Sequence, residues 1–212
     1  MISTPAELYD AILAFKSDVK STICLLHKPC KDHPLCSAIS SIEVLDFDAI
    51  EQEIATGRRS KRPSCDGVTL NKDKSVFCFL EIKGWQKFVE YNMPHDGVLL
   101  SEENRQKIIA QAEGYNLKGK LEQSRKDCEE IAGQSDLFVS VPYVYVIVTD
   151  IIEEKDADKD IAANLSLLAG TASVWNLCDE SMLQQMKKID AAVRKVYTHC
   201  QDFDDCLSKI HL

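Results

Sequence analysis

Asp66, Glu81 and Lys83 lie in the most apolar short segment of an otherwise polar protein. Charged groups among apolar side chains cost free energy unless they are paired or bind a ligand. Carboxylate oxygens are ligands that Mg²⁺ prefers, and the ion often takes one or two of them together with water and phosphate oxygens. We therefore expect Asp66 and Glu81 to bind Mg²⁺ or Mn²⁺, with the backbone carbonyl of Ile82 as a further ligand.

Lys83 has a separate expected role, because it places a positive charge beside the two acids. A metal ion held by these acids would stabilise a pentavalent phosphate and lower the pKa of a bound water. Lys83 would position or activate that water and neutralise the charge that develops during its attack. These residue types therefore indicate metal-assisted attack on a phosphate.

A β-hairpin is predicted to carry these residues. Segments 64–70 and 75–83 are rich in β-branched and aromatic residues, and the turn sequence Asn-Lys-Asp-Lys separates them. An ordinary same-face pair of Glu81 and Lys83 on a solvated strand is the alternative interpretation. The second segment is apolar on both faces, and this favours a strand in the interior of the sheet.

The register of this hairpin decides whether the two acids meet. With an even-numbered loop centred on Lys72 and Asp73, Asp66 lies opposite Phe79, and Glu81 is its diagonal neighbour on the same face. The two Cβ atoms would then be roughly 7 Å apart, close enough for both carboxylates to bind one cation. An odd-numbered loop would place the acids on opposite faces and remove the site.

The pattern Asp-x14-Glu-x-Lys across a hairpin, followed by a helix and another apolar strand, resembles the PD-(D/E)XK nuclease superfamily. The resemblance covers roughly residues 48–149. Pro63-Ser64-Cys65-Asp66 replaces the tight Pro-Asp pair of that family, whereas Glu81-Ile82-Lys83 matches its second half unchanged. In that family the acids hold Mg²⁺ and the lysine assists phosphodiester hydrolysis.

This resemblance implies an α/β protein with a restriction-endonuclease-like mixed β-sheet flanked by helices and extended by C-terminal helices. It implies Mg²⁺-dependent or Mn²⁺-dependent hydrolysis of nucleic acid, with DNA as the expected substrate and a homodimer as one arrangement. The rival interpretation is a nuclease-like scaffold that has lost catalysis and binds protein partners.

The family often adds two accessory residues. One is a glutamate from a helix before the hairpin, and the candidates are Glu51 and Glu53, followed by Glu7 and Glu43. The other is a lysine or glutamine from the helix after the hairpin, and Lys120 and Gln123 lie on the expected face.

Two weaker patterns leave alternatives open. A basic stretch precedes Asp66 and would either bind phosphates or form a solubilising surface loop; its residues are Arg58, Arg59, Lys61 and Arg62. A cysteine and histidine series, Cys24, His27, Cys30, His33 and Cys36, recurs every third residue and would bind zinc or, as we favour, supply small buried thiols.

The remaining elements enclose the predicted sheet. We expect helices over about 5–19, over about 101–132 with a break near Gly114 and Gly119, and over about 183–197. A central strand is expected within 138–149 because this segment is dense in β-branched and aromatic residues. We expect a single domain over 1–212, with its core at about 48–149 and a helical part at about 160–212.

Composition bounds the class of protein. In 212 residues, 45% are hydrophobic and 28% are charged, which predicts an ordered globular fold. The net charge of −9 argues against tight non-specific DNA binding, although a bound divalent cation would offset it locally. No secretory signal or membrane-length apolar run is apparent, so a cytoplasmic location with nine reduced cysteines is expected. A P-loop and a nucleophile elbow are not apparent in the sequence.

Overall fold

The computed structural model describes residues 1–27, 39–58, 60–93, 100–151 and 161–211, and it describes side chains in these ranges except those of 161–173. Within them the protein has an α/β architecture, in which helices flank one mixed sheet. No helix in these ranges combines the length and apolar character that crossing a bilayer requires.

Six strands of the described residues form the sheet in chain order. They are β1 Lys20–Ser21, β2 Val44–Asp46, β3 Gly67–Leu70, β4 Phe77–Lys83, β5 Tyr143–Thr149 and β6 Lys195–His199. The strands from β1 to β4 pair antiparallel, whereas β4, β5 and β6 run parallel. The predicted hairpin and central strand are therefore confirmed as elements.

The helices of the described residues fill the connections between these strands. They are α1 Pro5–Phe15, α2 Ile23–Leu26, α3 Phe47–Arg58, α4 Gln86–Asn92, α5 Glu102–Gly114, α6 Leu117–Ala132, α7 Leu137–Ser140, α8 Ile161–Lys187 and α9 Phe203–Ser208. A capping box of Thr4 and Glu7 begins α1, at the position where the sequence predicts a helix to start. The break expected between α5 and α6 is present, and Asn116 adopts a left-handed conformation there with φ of 50°.

The sequence prediction is wrong for the second half of the last expected helix. The chain leaves the helix after Lys187, and residues 195–199 pair with β5 as an additional parallel strand. The helical spacing of apolar residues here is ambiguous, since Val196 and its neighbours also suit a strand. Pairing with β5 provides partners for the strand's backbone hydrogen-bonding groups, and this tertiary requirement decides the outcome.

The two faces of the sheet pack against different layers. Phe77, Phe79, Tyr145 and Ile147 belong to the larger core, which includes residues of α1, α5, α6 and α8. Alternate residues of the same strands pack with α2 and α9 on the other face. Glu81 has the same alternation as Phe79, so its side chain emerges on the face with the larger core.

The hairpin register differs by two residues from the predicted one. Phe79 lies opposite Val68 rather than Asp66, and Leu80 lies opposite Gly67. The difference arises in the turn, where Lys74 adopts a left-handed conformation with φ of 58°. A shift of two residues preserves the facing of every side chain, so Asp66 lies at the register position of Glu81 itself.

Asn71 closes this turn and ties it to the C-terminal segment. The residue is 2% exposed. Its Oδ1 accepts from the backbone N–H of Val76 at 2.8 Å, and its Nδ2 donates to the carbonyl of Ile210 at 2.7 Å. These bonds hold the turn in the register that brings the acids together.

Replacing Asn71 by alanine is expected to lower the free energy of unfolding by about 2–3 kcal/mol, because it leaves buried polar groups without partners. Urea unfolding measures this change. The control is Lys72→Ala at an exposed turn position, expected to stay within about 0.5 kcal/mol of the wild type. Equal stability of the two variants would show that Asn71 does not fix the turn.

Candidate metal centre

Asp66 directly precedes β3 and is positioned by backbone contacts. Its N–H donates to the carbonyl of Leu80 at 3.0 Å, and its carbonyl accepts from the N–H of Phe47 at 3.2 Å. Its Oδ2 accepts from the N–H of Ile82 at 2.6 Å. Gly67, which follows, permits close approach of β2, since a Cβ there would lie 2.6 Å from Cγ1 of Val44. The carboxylate is thereby aimed across the hairpin toward Glu81.

Four charged side chains meet at this point. Lys120 Nζ lies 2.6 Å from Glu81 Oε1 and 3.5 Å from Asp66 Oδ1. Lys83 Nζ contacts Glu81 Oε1 directly and lies 3.4 Å from Asp66 Oδ2. Each ammonium group therefore bridges both carboxylates, and the formal charges of the cluster sum to zero.

Burial differs sharply among the four side chains. Glu81 has no exposed surface and the side chain of Lys83 is 10% exposed, whereas those of Asp66 and Lys120 are 22% and 21% exposed. Glu81 Oε2 is buried and has no hydrogen-bond partner among the described residues. The cluster therefore reaches solvent on the side of Asp66 and Lys120.

The electrostatics of Glu81 and Lys83 reflect this burial. Burial, and then the nearby charge of Asp66, raises the pKa of Glu81 to about 7 against the opposing effect of the two lysines. Burial alone would lower the pKa of Lys83, but Glu81 and Asp66 outweigh it and raise that pKa. Lys83 is therefore protonated at neutral pH.

The segment before Asp66 is held at three points. The N–H of Arg62 donates to Glu51 Oε1 at 3.0 Å, and Ser64 Oγ donates to Asp48 Oδ1 at 2.7 Å. The N–H of Cys65 donates to Ser124 Oγ of α6 at 2.8 Å. The residues that separate Pro63 from Asp66 thus anchor this segment to α3 and α6.

Asp150, just beyond β5, fixes the chain that follows Lys83. Its N–H donates to the carbonyl of Lys83 at 3.2 Å, and its Oδ1 accepts from the N–H of Trp85 at 2.5 Å. Its other oxygen lies 3.1 Å from His27 Nε2. Asp150 therefore holds the ends of β4 and β5 together, and its buried carboxylate binds the backbone just before α4.

The donor set suits Mg²⁺ or Mn²⁺. Two carboxylates meet, and within the part of the chain that the structure describes, Glu81 Oε2 has no partner. The N–H and C=O of a strand residue point to the same side, so the carbonyl of Ile82 is directed toward Asp66, as its N–H is. Among the described residues, no three histidine, cysteine, aspartate or glutamate side chains are placed to share a metal. The site would therefore rely on water and phosphate oxygens, as Mg²⁺ often does.

Of the two residues suggested on the helix after the hairpin, the structure brings Lys120 to the acids and not Gln123. Gln123 Nε2 donates to Asp127 Oδ1 at 2.9 Å, one helical turn away from the cluster. Lys120 projects from the first turns of α6 and reaches Glu81 directly.

Among the described residues, none of the glutamates suggested before the hairpin lies in contact with Asp66 or Glu81. Glu51 is buried, accepts from Arg62 N–H and lies 3.8 Å from Arg58 Nη1. The other three make contacts elsewhere: Glu53 with Lys16, Glu7 with Thr4, and Glu43 with Tyr9 and Lys20.

The basic stretch does not act as one surface. Arg58 Nη2 lies 2.9 Å from Asp127 Oδ1 and also contacts Glu130, so this side chain belongs to an ion-pair network between α3 and α6. Lys61 Nζ lies 3.4 Å from Asp48, and Arg62 is exposed. Arg59 lies outside the described residues. Lys61 and Arg62 stay predictions as phosphate-binding residues.

Sequence reasoning did not identify Tyr115 as part of the site. Lys83 Nζ lies 5.2 Å from the centroid of the Tyr115 ring, within reach of a cation–π contact. Trp85 packs edge-on against the same ring at 5.6 Å and is fully buried. Tyr115 lies in the turn between α5 and α6, and nothing in its sequence surroundings indicates that it approaches β4.

The cysteine and histidine series is described only in part. Cys24 is partly buried, and His27 pairs with Asp150. Cys30, His33 and Cys36 lie outside the described residues, so the zinc alternative for this segment stays a prediction.

Comparison of the chain with protein families, curated proteins and solved structures gave no match. The function is therefore inferred from the geometry and chemistry of the site.

Replacing Arg58 by methionine is expected to lower the free energy of unfolding by about 3 kcal/mol, because Asp127 and Glu51 would keep buried charge without its partner. The matched control is Arg62→Met at an exposed position, expected to change stability by less than about 0.5 kcal/mol. Denaturant unfolding of both variants tests this. Unchanged stability of Arg58→Met, combined with weaker nucleic-acid binding, would instead support its predicted phosphate-binding role.

Proposed function

We propose that this protein is a Mg²⁺-dependent or Mn²⁺-dependent nuclease of the PD-(D/E)XK type, with DNA as its expected substrate. The observation that carries the proposal is the meeting of Asp66 and Glu81 with Lys83 and Lys120 at the end of β4. Of the accessory residues that the resemblance implies, Lys120 lies within this cluster.

The sheet supports a restriction-endonuclease-like fold as part of this proposal. An antiparallel hairpin carries the acids, and β4 continues into the parallel strand β5 through a helical connection that includes α6. This is the order of elements on which the resemblance rests: hairpin, helix and apolar strand. The parallel β6 is an addition to that pattern.

Each residue has a role that follows from its charge and position. Asp66 and Glu81 would hold the ion, which when bound supplies Lewis-acid stabilisation of the phosphate and a lower pKa for a bound water. Lys83 is protonated, so it would donate hydrogen bonds and offset negative charge rather than accept a proton. The ring of Tyr115 would keep its ammonium group beside the acids.

One observation favours the second candidate, a nuclease-like scaffold without catalysis that binds protein partners. The two lysines already neutralise the two acids, so the cluster satisfies its charges without an ion. Calorimetric titration of the wild type and of Glu81→Gln with Mn²⁺ distinguishes the candidates. Mn²⁺ binding that is lost in Glu81→Gln supports the nuclease, and the absence of such binding supports the scaffold. A homodimer and a cytoplasmic location stay predictions in either case.

Asp66→Asn and Lys83→Met are each expected to reduce Mg²⁺-dependent cleavage of DNA by at least about a hundredfold, since each removes an electrostatic contribution to the transition state. Cleavage of labelled single-stranded and double-stranded DNA and RNA, with Mg²⁺, Mn²⁺ or a chelator, is the measurement.

Glu122→Gln is the matched control, because Glu122 is an exposed acid on α6. Its ion pair with Lys118 is long, at 3.8 Å. Circular dichroism establishes that all three variants are folded. Full activity in Asp66→Asn and Lys83→Met would contradict the proposal, as would wild-type protein that binds no divalent ion and cuts no nucleic acid.

The affinity for Mn²⁺ is expected to rise with pH up to about 7 and then level off. The pKa of Glu81 is raised to about 7, so below that pH the carboxyl holds a proton that a metal must displace. Affinity should therefore weaken by about tenfold for each pH unit below 7. Calorimetry at about pH 6, 7 and 8, in buffers of different ionisation enthalpy, measures both the affinity and the proton released. Equal affinity at all three values would contradict this pKa.

A further inference from the structure

Lys83 and Lys120 occupy the space between the two acids, but each binds a different oxygen of Asp66. Both ammonium groups contact Glu81 Oε1. Lys83 approaches Asp66 Oδ2 at 3.4 Å, whereas Lys120 approaches Oδ1 at 3.5 Å. Removal of Lys83 would therefore expose Oδ2 of Asp66, whereas removal of Lys120 would expose Oδ1.

The two lysines also differ in how firmly they are held. Lys83 projects from β4 itself, is 10% exposed and packs over the Tyr115 ring. Lys120 reaches across from α6 and is 21% exposed, and the partners of its ammonium group among the described residues are the two acids. Because its side chain is nearer to water, Lys120 regains hydration more readily on leaving the cluster.

Withdrawal of Lys120 would leave one oxygen of each acid without an ammonium contact. Asp66 Oδ1 would lose its Lys120 contact, while Oδ2 would stay bound to Ile82 N–H and Lys83. Glu81 already has the buried, unpartnered Oε2. Asp66 Oδ1 and Glu81 Oε2 would then be the two carboxylate oxygens available to bind an ion.

The charge balance favours the same exchange. The cluster is neutral with both lysines in place, and a divalent ion added beside them would leave it at +2. With Lys120 withdrawn and Lys83 retained, the charge near the ion would be +1, which a single phosphodiester group neutralises. Repulsion between an ammonium group and a dication at contact distance opposes keeping Lys120 in place.

We propose that Lys120 is an internal counter-cation that a divalent metal ion displaces from Asp66 and Glu81, while Lys83 stays. This role rests on the proposed metal-dependent function and adds a regulatory step to it. In the absence of an ion, Lys120 closes the site and compensates the buried charge of Glu81. Binding of an ion opens the site and moves the Lys120 ammonium group into solvent.

Acetylation of lysines, followed by mass spectrometry, tests the exchange on the wild-type protein. Addition of Mn²⁺ is expected to increase the labelling of Lys120 several-fold, while Lys83 stays protected. Lys118, an exposed residue of the same helix, is the internal control and should label equally in both conditions. Glu81→Gln is expected to abolish the effect of Mn²⁺ on Lys120.

The Lys120→Gln variant supplies a second measurement. It removes the displaced charge, so its affinity for Mn²⁺ is expected to be at least about tenfold higher than that of the wild type. Its thermal stability without metal should fall, because Glu81 loses a partner. Lys118→Gln, which removes the same charge from the exposed side of α6, should change the Mn²⁺ affinity by less than about twofold.

The outcomes separate this inference from the function on which it rests. If the wild type binds Mn²⁺ but Lys120 labelling is unchanged, or Lys83 becomes labelled instead, the exchange is wrong and the metal site stands. Mn²⁺ affinity that is equal or weaker in Lys120→Gln would likewise contradict the exchange alone. If neither wild type nor Lys120→Gln binds Mn²⁺, both the exchange and the proposed function are wrong.

Discussion

The fully buried carboxylate of Glu81 is the constraint around which the centre of this protein is organised. It follows Phe77 and Phe79 on the core-facing side of β4, where an uncompensated charge would cost several kcal/mol. Two ammonium groups supply that compensation, and one of them arrives from a helix far along the chain. Burial also raises the pKa of Glu81 to about 7, so its charge is sensitive to any cation that approaches.

Helix α6 connects this cluster to the rest of the molecule through one polar stripe. Lys120, Ser124 and Asp127 recur at helical spacing, and they contact Glu81, the N–H of Cys65 and Arg58 in turn. A single helix therefore aligns the strand that carries Glu81, the segment that carries Asp66 and the end of α3. Placing a site on elements tied together in this way limits the freedom of its side chains.

The parallel strands extend this polar region across the sheet. Lys83, Thr149 and His199 are neighbours in register on β4, β5 and β6, at the carboxyl ends of the three strands. Thr149 Oγ1 lies 3.2 Å from the hydroxyl of Tyr197, which donates to Asp179 of α8. The N–H of Asp150 also donates to the carbonyl of Lys83 and so joins the ends of β4 and β5. Thr149, Tyr197 and Asp179 are thus linked to one another, which limits the cost of burying them.

The local elements of this fold follow from the sequence, because their causes are local. The capping box before α1, the apolar density of β5 and the break between α5 and α6 each depend on residues within a few positions of one another. The shared facing of Asp66 and Glu81 is also determined locally, since it depends only on an even number of residues in the turn. The exact register of the hairpin was not determined locally, because the left-handed Lys74 and the anchoring of Asn71 to Ile210 depend on packing.

The partners of the site residues were decided by the tertiary structure. Arg58 and Glu51 resemble exposed functional residues in sequence, yet both are drawn into an ion-pair network between α3 and α6. Likewise, residues 195–199 carry a pattern compatible with a helix, and pairing with β5 makes them a strand. Alternation along a chain determines which residues share a face. Which charges meet across that face depends on how distant segments pack, and a buried charge accepts only a packing that compensates it.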